Sequence, residues 1–268
     1  SYKPLPNFLY RNNGDGTFSD VSGAARVSYR RRSLQAVFCD LNSDGLPDIY
    51  VANDTTPDVL FINQGDGTFR DVAEYARTAD SRGSMGVAVG DYDGDLDLDL
   101  WVTHWIAQDD ALFRNVSRSY KGAKIRFVDE IASSVGEHSL AYVGWGVGFF
   151  DYDNDGWMDV FVANGSTFEE NDDRTKLRPM KNLLFRNRGE GSFALANDVA
   201  GDTWKTENVG RGAALADYDN DGDMDIVILD RGEGVRLLQN RGGNVKNWLT
   251  LDLEGPPGNR QAVGARVT

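Results

Sequence analysis

A nine-residue acidic pattern occurs four times in this chain and constrains its fold more than any other feature. It reads DLNSDGLPD from Asp40, DYDGDLDLD from Asp91, DYDNDGWMD from Asp151 and DYDNDGDMD from Asp217, with starts 51, 60 and 66 residues apart. A second motif alternates with it: LYRNNGDGTF from Leu9, LFINQGDGTF from Leu60 and LFRNRGEGSF from Leu184, with weaker forms LFRNVSRS from Leu112 and LLQNRGG from Leu237. Two motifs alternating in fixed order at this period mark a repeat architecture, in which each unit is one supersecondary element stacked on its neighbours.

The flanks of both motifs read as strands. AVFC, VAVG, VGFF and AALA precede the acidic segments, and IYVAN, LWVTH, VFVAN and IVILD follow them, rich in β-branched and aromatic residues. The NGDGTF segment places glycine where a hairpin needs positive φ. Each unit is therefore strand, acidic loop, strand, connection, strand, hairpin turn, strand, which is the content of a propeller blade. The spacing predicts an all-β fold: a β-propeller of four-stranded antiparallel blades at about 34–73, 84–131, 143–200 and 210–253, with an orphan half-blade at 7–22. The half-blade lacks its two partner strands, so the expected object is part of a larger propeller. Helix is scarce, and AEYARTAD is too short to change the class.

The acidic segments are expected to bind metal. Oxygen-bearing side chains at positions 1, 3 and 5 converge on one point, position 7 offers a backbone carbonyl, position 9 closes the shell, and glycine at position 6 permits the sharp turn. Such an all-oxygen set suits Ca2+, which takes six to eight oxygens. The EF-hand loop begins alike but ends in Glu at position 12 between helices, so it is the wrong reading here. The first site would use Asp40, Asn42, Asp44 and Asp48 with the carbonyl of Leu46. The second would use Asp91, Asp93, Asp95 and Asp99 with Asp97 at position 7. The third would use Asp151, Asp153, Asp155 and Asp159 with the carbonyl of Trp157, and the fourth Asp217, Asp219, Asp221 and Asp225 with that of Asp223. The second site departs from the pattern, because Leu96 stands where the others have glycine, and a leucine held at positive φ costs about 1–2 kcal/mol. The alternative is a set of solvated Asx turns without metal. Against it stands the electrostatic cost of gathering three or four carboxylates with no cation. Three to four Ca2+ are expected, and four would bring the formal net charge of −14 to about −6.

That charge disfavours nucleic acid as a partner, since binding it needs clustered Lys and Arg. A single cysteine, Cys39, allows no internal disulfide, and bound metal can take over the cross-linking. No apolar run approaches the length of a membrane-spanning helix. Residues 1–6 have the character of mid-chain sequence without a signal peptide, which predicts a processed or truncated product.

On the acidic loops and their apolar flanks, over residues 7–253, the chain resembles the FG-GAP/VCBS repeat family. The ending NWLTLDLEGPPGNRQAVGARVT from Asn247 resembles the start of the domain that follows such repeats in the ASPIC/UnbV (cartilage acidic protein 1-like) family, which assigns 254–268 to a truncated domain of that kind. The resemblance implies a propeller, often seven-bladed, with calcium in its blade loops. It also implies an extracellular, cell-surface or periplasmic location and a role in adhesion or protein assembly.

No other constellation points to catalysis. The two histidines, His104 and His138, fall in no recognisable motif, and a zinc site or triad needs more. Cys39 aligns with Gly90 and Ala216 and reads as a small buried filler. Trp101 and Trp145 fall in strands and are expected in the core. Trp105, at a strand end, and Trp157, in an acidic loop, are expected exposed, where an aromatic can anchor a protein or stack on a sugar. The connections 104–111, 132–142 and 166–181 are long enough to carry function. Asn53, Asn115 and Asn164 begin N-x-S/T sequons. The leading expectation is a non-enzymatic, calcium-rigidified scaffold that binds another protein as a subunit of a larger assembly. A lectin-like sugar binder is second, and an enzyme or accessory protein of a biosynthetic pathway third.

Overall fold

A computed structural model describes residues 3–119, 125–170, 173–256, 260, 262 and 265. Three antiparallel four-stranded sheets follow one another: Ser33–Cys39, Asp48–Asn53, Val59–Asn63 and Phe69–Asp71; Ser84–Gly90, Asp99–His104, Ala111–Asn115 and Phe127–Asp129; and Gly144–Phe150, Asp159–Asn164, Leu183–Asn187 and Phe193–Leu195. Within each sheet the strands lie side by side in chain order. The inner strand is the one before the acidic loop, and the four inner strands neighbour one another in sequence order. The chain is thus an all-β arc of propeller blades.

Inner strands approach so closely that side chains are excluded at some positions. A Cβ on Gly86 would lie 1.7 Å from the Trp145 carbonyl oxygen, and one on Gly146 would lie 2.4 Å from the Ala213 nitrogen. Farther out the blades widen and large residues fill the wedges. Tyr50, Leu60, Leu100, Phe113 and Phe127 form the core between the first and second blades, and Trp101, Leu112, Phe185 and Phe193 that between the second and third. Phe150, Phe161, Trp204 and Ile228 pack between the third and fourth. The period-2 alternation of each strand sends one set of residues to the preceding blade and the other to the following one.

The ends of the arc differ from its middle. At the N-terminus, Tyr10–Asn12 and Phe18–Asp20 form the two-stranded half-blade, and Leu9 and Val21 pack with Ala25 and Val27 against Ile49, Val51 and Phe61. Leu34 and Phe38, on the inner strand of the first blade, remain exposed. At the other end, the fourth sheet has three strands, Gly210–Ala216, Asp225–Asp230 and Gly234–Leu238, and the fourth strand expected within 210–253 does not form among the described residues. The cause is local. NRGGN lacks the GDGTF hairpin and makes a 3-10 turn at Gly243–Val245. There the Asn244 backbone N–H donates to Asp223 Oδ2 at 3.2 Å and its side chain to Asp221 Oδ2 at 2.9 Å, so the chain turns onto the acidic loop instead of back along the sheet. The repeat position held by Leu60, Leu112 and Leu184 is buried in three blades. Its counterpart Leu237 is 45% exposed, because no following blade covers it.

The segment assigned to an ASPIC/UnbV-like domain, 254–268, lies largely outside the described residues. No helix of the described residues is long and apolar enough to cross a membrane.

Candidate metal centre

The acidic loops join the inner strand of each blade to the second strand, so all four lie at the same end of the sheets. Position 1 organises each turn. Asp40 accepts the N–H groups of Asp44 and Gly45, Asp151 those of Asp155 and Gly156, and Asp217 those of Asp221 and Gly222, at 2.7–3.1 Å. Asp91 does the same for Gly94, Asp95 and Leu96. Position 5 accepts from position 7: Asp44 from Leu46, Asp95 from Asp97, Asp155 from Trp157 and Asp221 from Asp223. Position 6 has φ of +85° to +94° at Gly45, Gly156 and Gly222, and Leu96 is held at +69° in the same place. The second loop therefore keeps the shape of the others with a strained residue rather than adopting another turn.

Position 9 is built differently from the rest. Asp48, Asp99, Asp159 and Asp225 are buried, and each accepts two backbone N–H groups. One comes from position 2 of its own loop (Leu41, Tyr92, Tyr152, Tyr218) at 3.0–3.2 Å. The other comes from the asparagine of the alternating motif (Asn63, Asn115, Asn187, Asn240) at 2.7–2.9 Å. That asparagine continues the chain of bonds into the preceding blade. Nδ2 of Asn115 donates to the Leu41 carbonyl, that of Asn187 to Tyr92 and that of Asn240 to Tyr152, at 2.7–2.8 Å. The two sequence motifs thus form one polar clamp that ties a loop to its own third strand and to the neighbouring blade. Sequence reasoning saw both halves without seeing that they touch.

In three loops the carboxylates also converge. One oxygen each from Asp91, Asp93 and Asp99 lies within 4.8 Å of the others, and the same holds for Asp151, Asp153 and Asp159 and for Asp217, Asp219 and Asp225. Ions bound to oxygen at about 2.3–2.6 Å have ligand atoms up to about 5 Å apart, so these sets fit a hard divalent cation. The first loop has Asn42 in place of a third carboxylate, and its amide donates to Asp44 Oδ2 at 2.8 Å. Burial pushes the carboxyl of Asp48 up to about 6, Asp99 to about 8 and Asp159 to about 7, with neighbouring carboxylates adding to the rise. Burial and Asp221 also raise Asp223, whose buried Oδ1 has no hydrogen-bond partner. A cation would relieve each of these costs. Positions 1, 3 and 9 are the groups best placed to hold it.

The opposite ends of the blades use a second staple that the sequence did not reveal. Asp58, Asp110 and Asn182, each at the start of a third strand, accept the N–H of Asn53, His104 and Asn164 at 2.7–3.1 Å. Asp58 Oδ2 also accepts from Tyr50 and Ser84, and Asp110 Oδ2 accepts from Trp101 Nε1. His104 sits within this network, with Nε2 3.1 Å from Ser84 Oγ and Nδ1 2.8 Å from the Asp109 carbonyl. The Ser84 hydroxyl is already committed to Asp58, and both residues are sealed from solvent, so this Ser–His–Asp grouping is a structural link between blades. Burial pushes Asp58 up to about 7, against the lowering effect of its three donors. The folded chain then holds that proton more tightly than the unfolded chain, and the stability it contributes at acid pH is lost as pH rises towards and through about 7. Asp58→Asn, which reproduces the Asn182 arrangement, is expected to remove this slope, about 1 kcal/mol per pH unit, when urea unfolding is compared between wild type and variant from acid to neutral pH.

The other sequence expectations divide. Trp101 is fully buried, Trp145 is half-buried beneath the Arg211 guanidinium at 4.5 Å, and Trp105 and Trp157 are each 36% exposed. Cys39 is half-buried, and burial together with Asp48 and Asp40 pushes its thiol up to about 12, consistent with an inert filler. All three sequon asparagines are buried and hydrogen-bonded within the blades, so they are closed to glycosylation in the folded chain.

Comparison with known proteins agrees with this construction. Human cartilage acidic protein 1 is 29% identical over 239 residues, covering 87% of this chain and 34% of that protein. The Xenopus tropicalis protein of the same name is 30% identical over 211 residues, covering 76% of this chain and 30% of that one. The chain therefore spans about a third of the length of the curated relatives it matches. A solved Agrocybe aegerita lectin that recognises terminal N-acetylglucosamine covers 96% of this chain and 63% of its own at 15% identity. Its TM-score is 0.46, too loose an overlap to bear on the site. FG-GAP-like repeats match residues 4–51, 40–102 and 151–228, more than half of the chain, and the chain belongs to the FG-GAP-like repeat family.

Proposed function

We propose that the chain is a calcium-rigidified scaffold, acting outside the cytoplasm, that binds another protein and catalyses no reaction. The observation that carries the calcium reading is the convergence of three carboxylates within 4.8 Å at the same repeat positions of three successive blades. Ions there would fix the turn between the two innermost strands of each blade and hold the arc at one curvature. Low-affinity calcium modules work where calcium is abundant, and similar chains named for cartilage favour an extracellular place.

The partner surface is proposed at the opposite end of the blades. There Trp105 and Phe168 stack with ring centroids 5.6 Å apart, the Trp105 indole N–H donates to Thr167 Oγ1 at 2.9 Å, and a hairpin of Glu169–Glu170 with Asp173–Leu177 projects beside them. Two half-exposed aromatic rings held by neighbouring blades are the kind of anchor that protein interfaces use. The same pair favours a sugar as the second reading, since an exposed aromatic face stacks on a pyranose ring. Capture from an extracellular extract with the immobilised chain tests both. The expected result is a protein retained in calcium, released by chelator and lost in Trp105→Ala. Retention of glycans by wild type alone would favour the sugar reading, and capture that ignores both chelator and Trp105→Ala would overturn the proposal.

A further inference from the structure

We infer that the residue before the motif asparagine of the third strand tunes the cation affinity of its blade's acidic loop, and that Arg186 weakens binding at the third loop. This rests on the calcium reading above.

The clamp between Asn187 and Asp159 fixes the register of the third strand and points the preceding residue at the loop. In the third blade that residue is Arg186. Its Nη2 lies 2.7 Å from Asp153 Oδ2 and 2.9 Å from Asp155 Oδ2, bridging positions 3 and 5, while Lys246 Nζ stands 3.3 Å from Asp153 Oδ1. In the second blade the same position is Arg114, farther away at 3.6 Å from Asp93 Oδ2 and also held by Glu130 through Nε at 3.0 Å. In the fourth it is the uncharged Gln239, which donates to Asp219 Oδ2 at 2.6 Å. In the first it is the aliphatic Ile62. One repeat position therefore carries arginine in two blades, glutamine in another and isoleucine in the first.

A guanidinium stays charged at any pH a protein tolerates, so it cannot release Asp153 and Asp155 by losing a proton. A divalent cation entering the third loop competes with Arg186 for Asp153 and must then tolerate its positive charge a few ångströms away. Without the cation, the same side chain neutralises part of the carboxylate repulsion. Arg186 thus acts as a tethered counter-cation. It stabilises the third loop when ion-free and opposes its loading, so the loops fill at different cation concentrations rather than together.

The test is titration of the full chain with Tb3+ in a Trp248→Phe background, with an Asp153→Ala control that isolates the third-loop signal because the Trp157 ring also lies against Gly94 of the second loop, together with calorimetric Ca2+ titration. Arg186→Met, which keeps the aliphatic stem, is expected to tighten third-loop binding about tenfold and to lower the melting temperature of the ion-free chain. Arg186→Lys should fall between, and Gln239→Arg should weaken binding at the fourth loop. Unchanged or weaker binding in a folded Arg186→Met chain would overturn the inference while leaving the calcium reading intact. Absence of any Ca2+ or Tb3+ binding to wild type would instead overturn the calcium reading, and this inference with it.

Discussion

Excess chelator is expected to lower the melting temperature by about 15–30 °C. Each loop with converging carboxylates contributes about 2.7 kcal/mol when the free cation is about a hundredfold above its dissociation constant. For a domain of this size, each kcal/mol moves the melting temperature by about 2–4 °C. Three such loops are strung along one arc, and an ion in each would stiffen the turn that leaves an inner strand, where successive blades touch backbone to backbone. The loss should therefore fall on the cooperative unit rather than on loop ends alone. Differential scanning calorimetry in calcium and in excess chelator reads it directly. Equal melting in the two conditions would remove the structural role for the metal and leave the loops as self-bonded turns.

The second large effect separates the metal from the clamp. Asp159→Ala is expected to cost about 4 kcal/mol even in chelator, because it leaves the N–H groups of Tyr152 and Asn187 buried with no acceptor, at about 1–3 kcal/mol each, and loosens the bond to the second blade carried by Asn187 Nδ2. Asp153→Ala, in the same loop, is expected to cost under about 1 kcal/mol in chelator, since among the described residues Asp153 accepts no backbone N–H and is bonded to Arg186 and Lys246. In calcium, both variants should lose the contribution of the third ion. Urea unfolding of both variants, with and without calcium, gives the four values needed. Equal losses for the two variants in chelator would show that position 9 is a ligand like the others and no clamp.

The alternation of the two motifs was sufficient to read the architecture, because each strand needs one face for either neighbour and the acidic loop must lie between the innermost pair. The order of strands in the first three blades follows that expectation residue by residue, as does the left-handed backbone at Leu96. The last blade does not. Its third strand ends in a glycine pair without the hairpin motif, and the segment Trp248–Leu253, apolar enough to be a strand, is drawn towards the acidic loop, where a Cβ on Gly222 would lie 2.0 Å from the Trp248 ring. Competition between a sheet edge and a loop surface depends on where both lie in space, and local pattern carries no such information.

The convergence of carboxylates from positions 1, 3 and 9 in three loops was legible because alternate positions of a tight turn send side chains to one side, and that spacing is a property of the chain alone. Their division of labour was not. Asp159 and Asp153 look alike in sequence, yet one is buried under two N–H donors and the other faces Arg186. His104 falls in no sequence motif, yet it is sealed between blades because Asp58 and Ser84 arrive from two different sheets. Sequence thus determined the repeat, the blade and the gathering of carboxylates in its loops. Only the packing of one blade against the next decided which carboxylate also serves as a clamp and which loops carry a positive charge of their own. Those differences arise from burial and from partners distant along the chain.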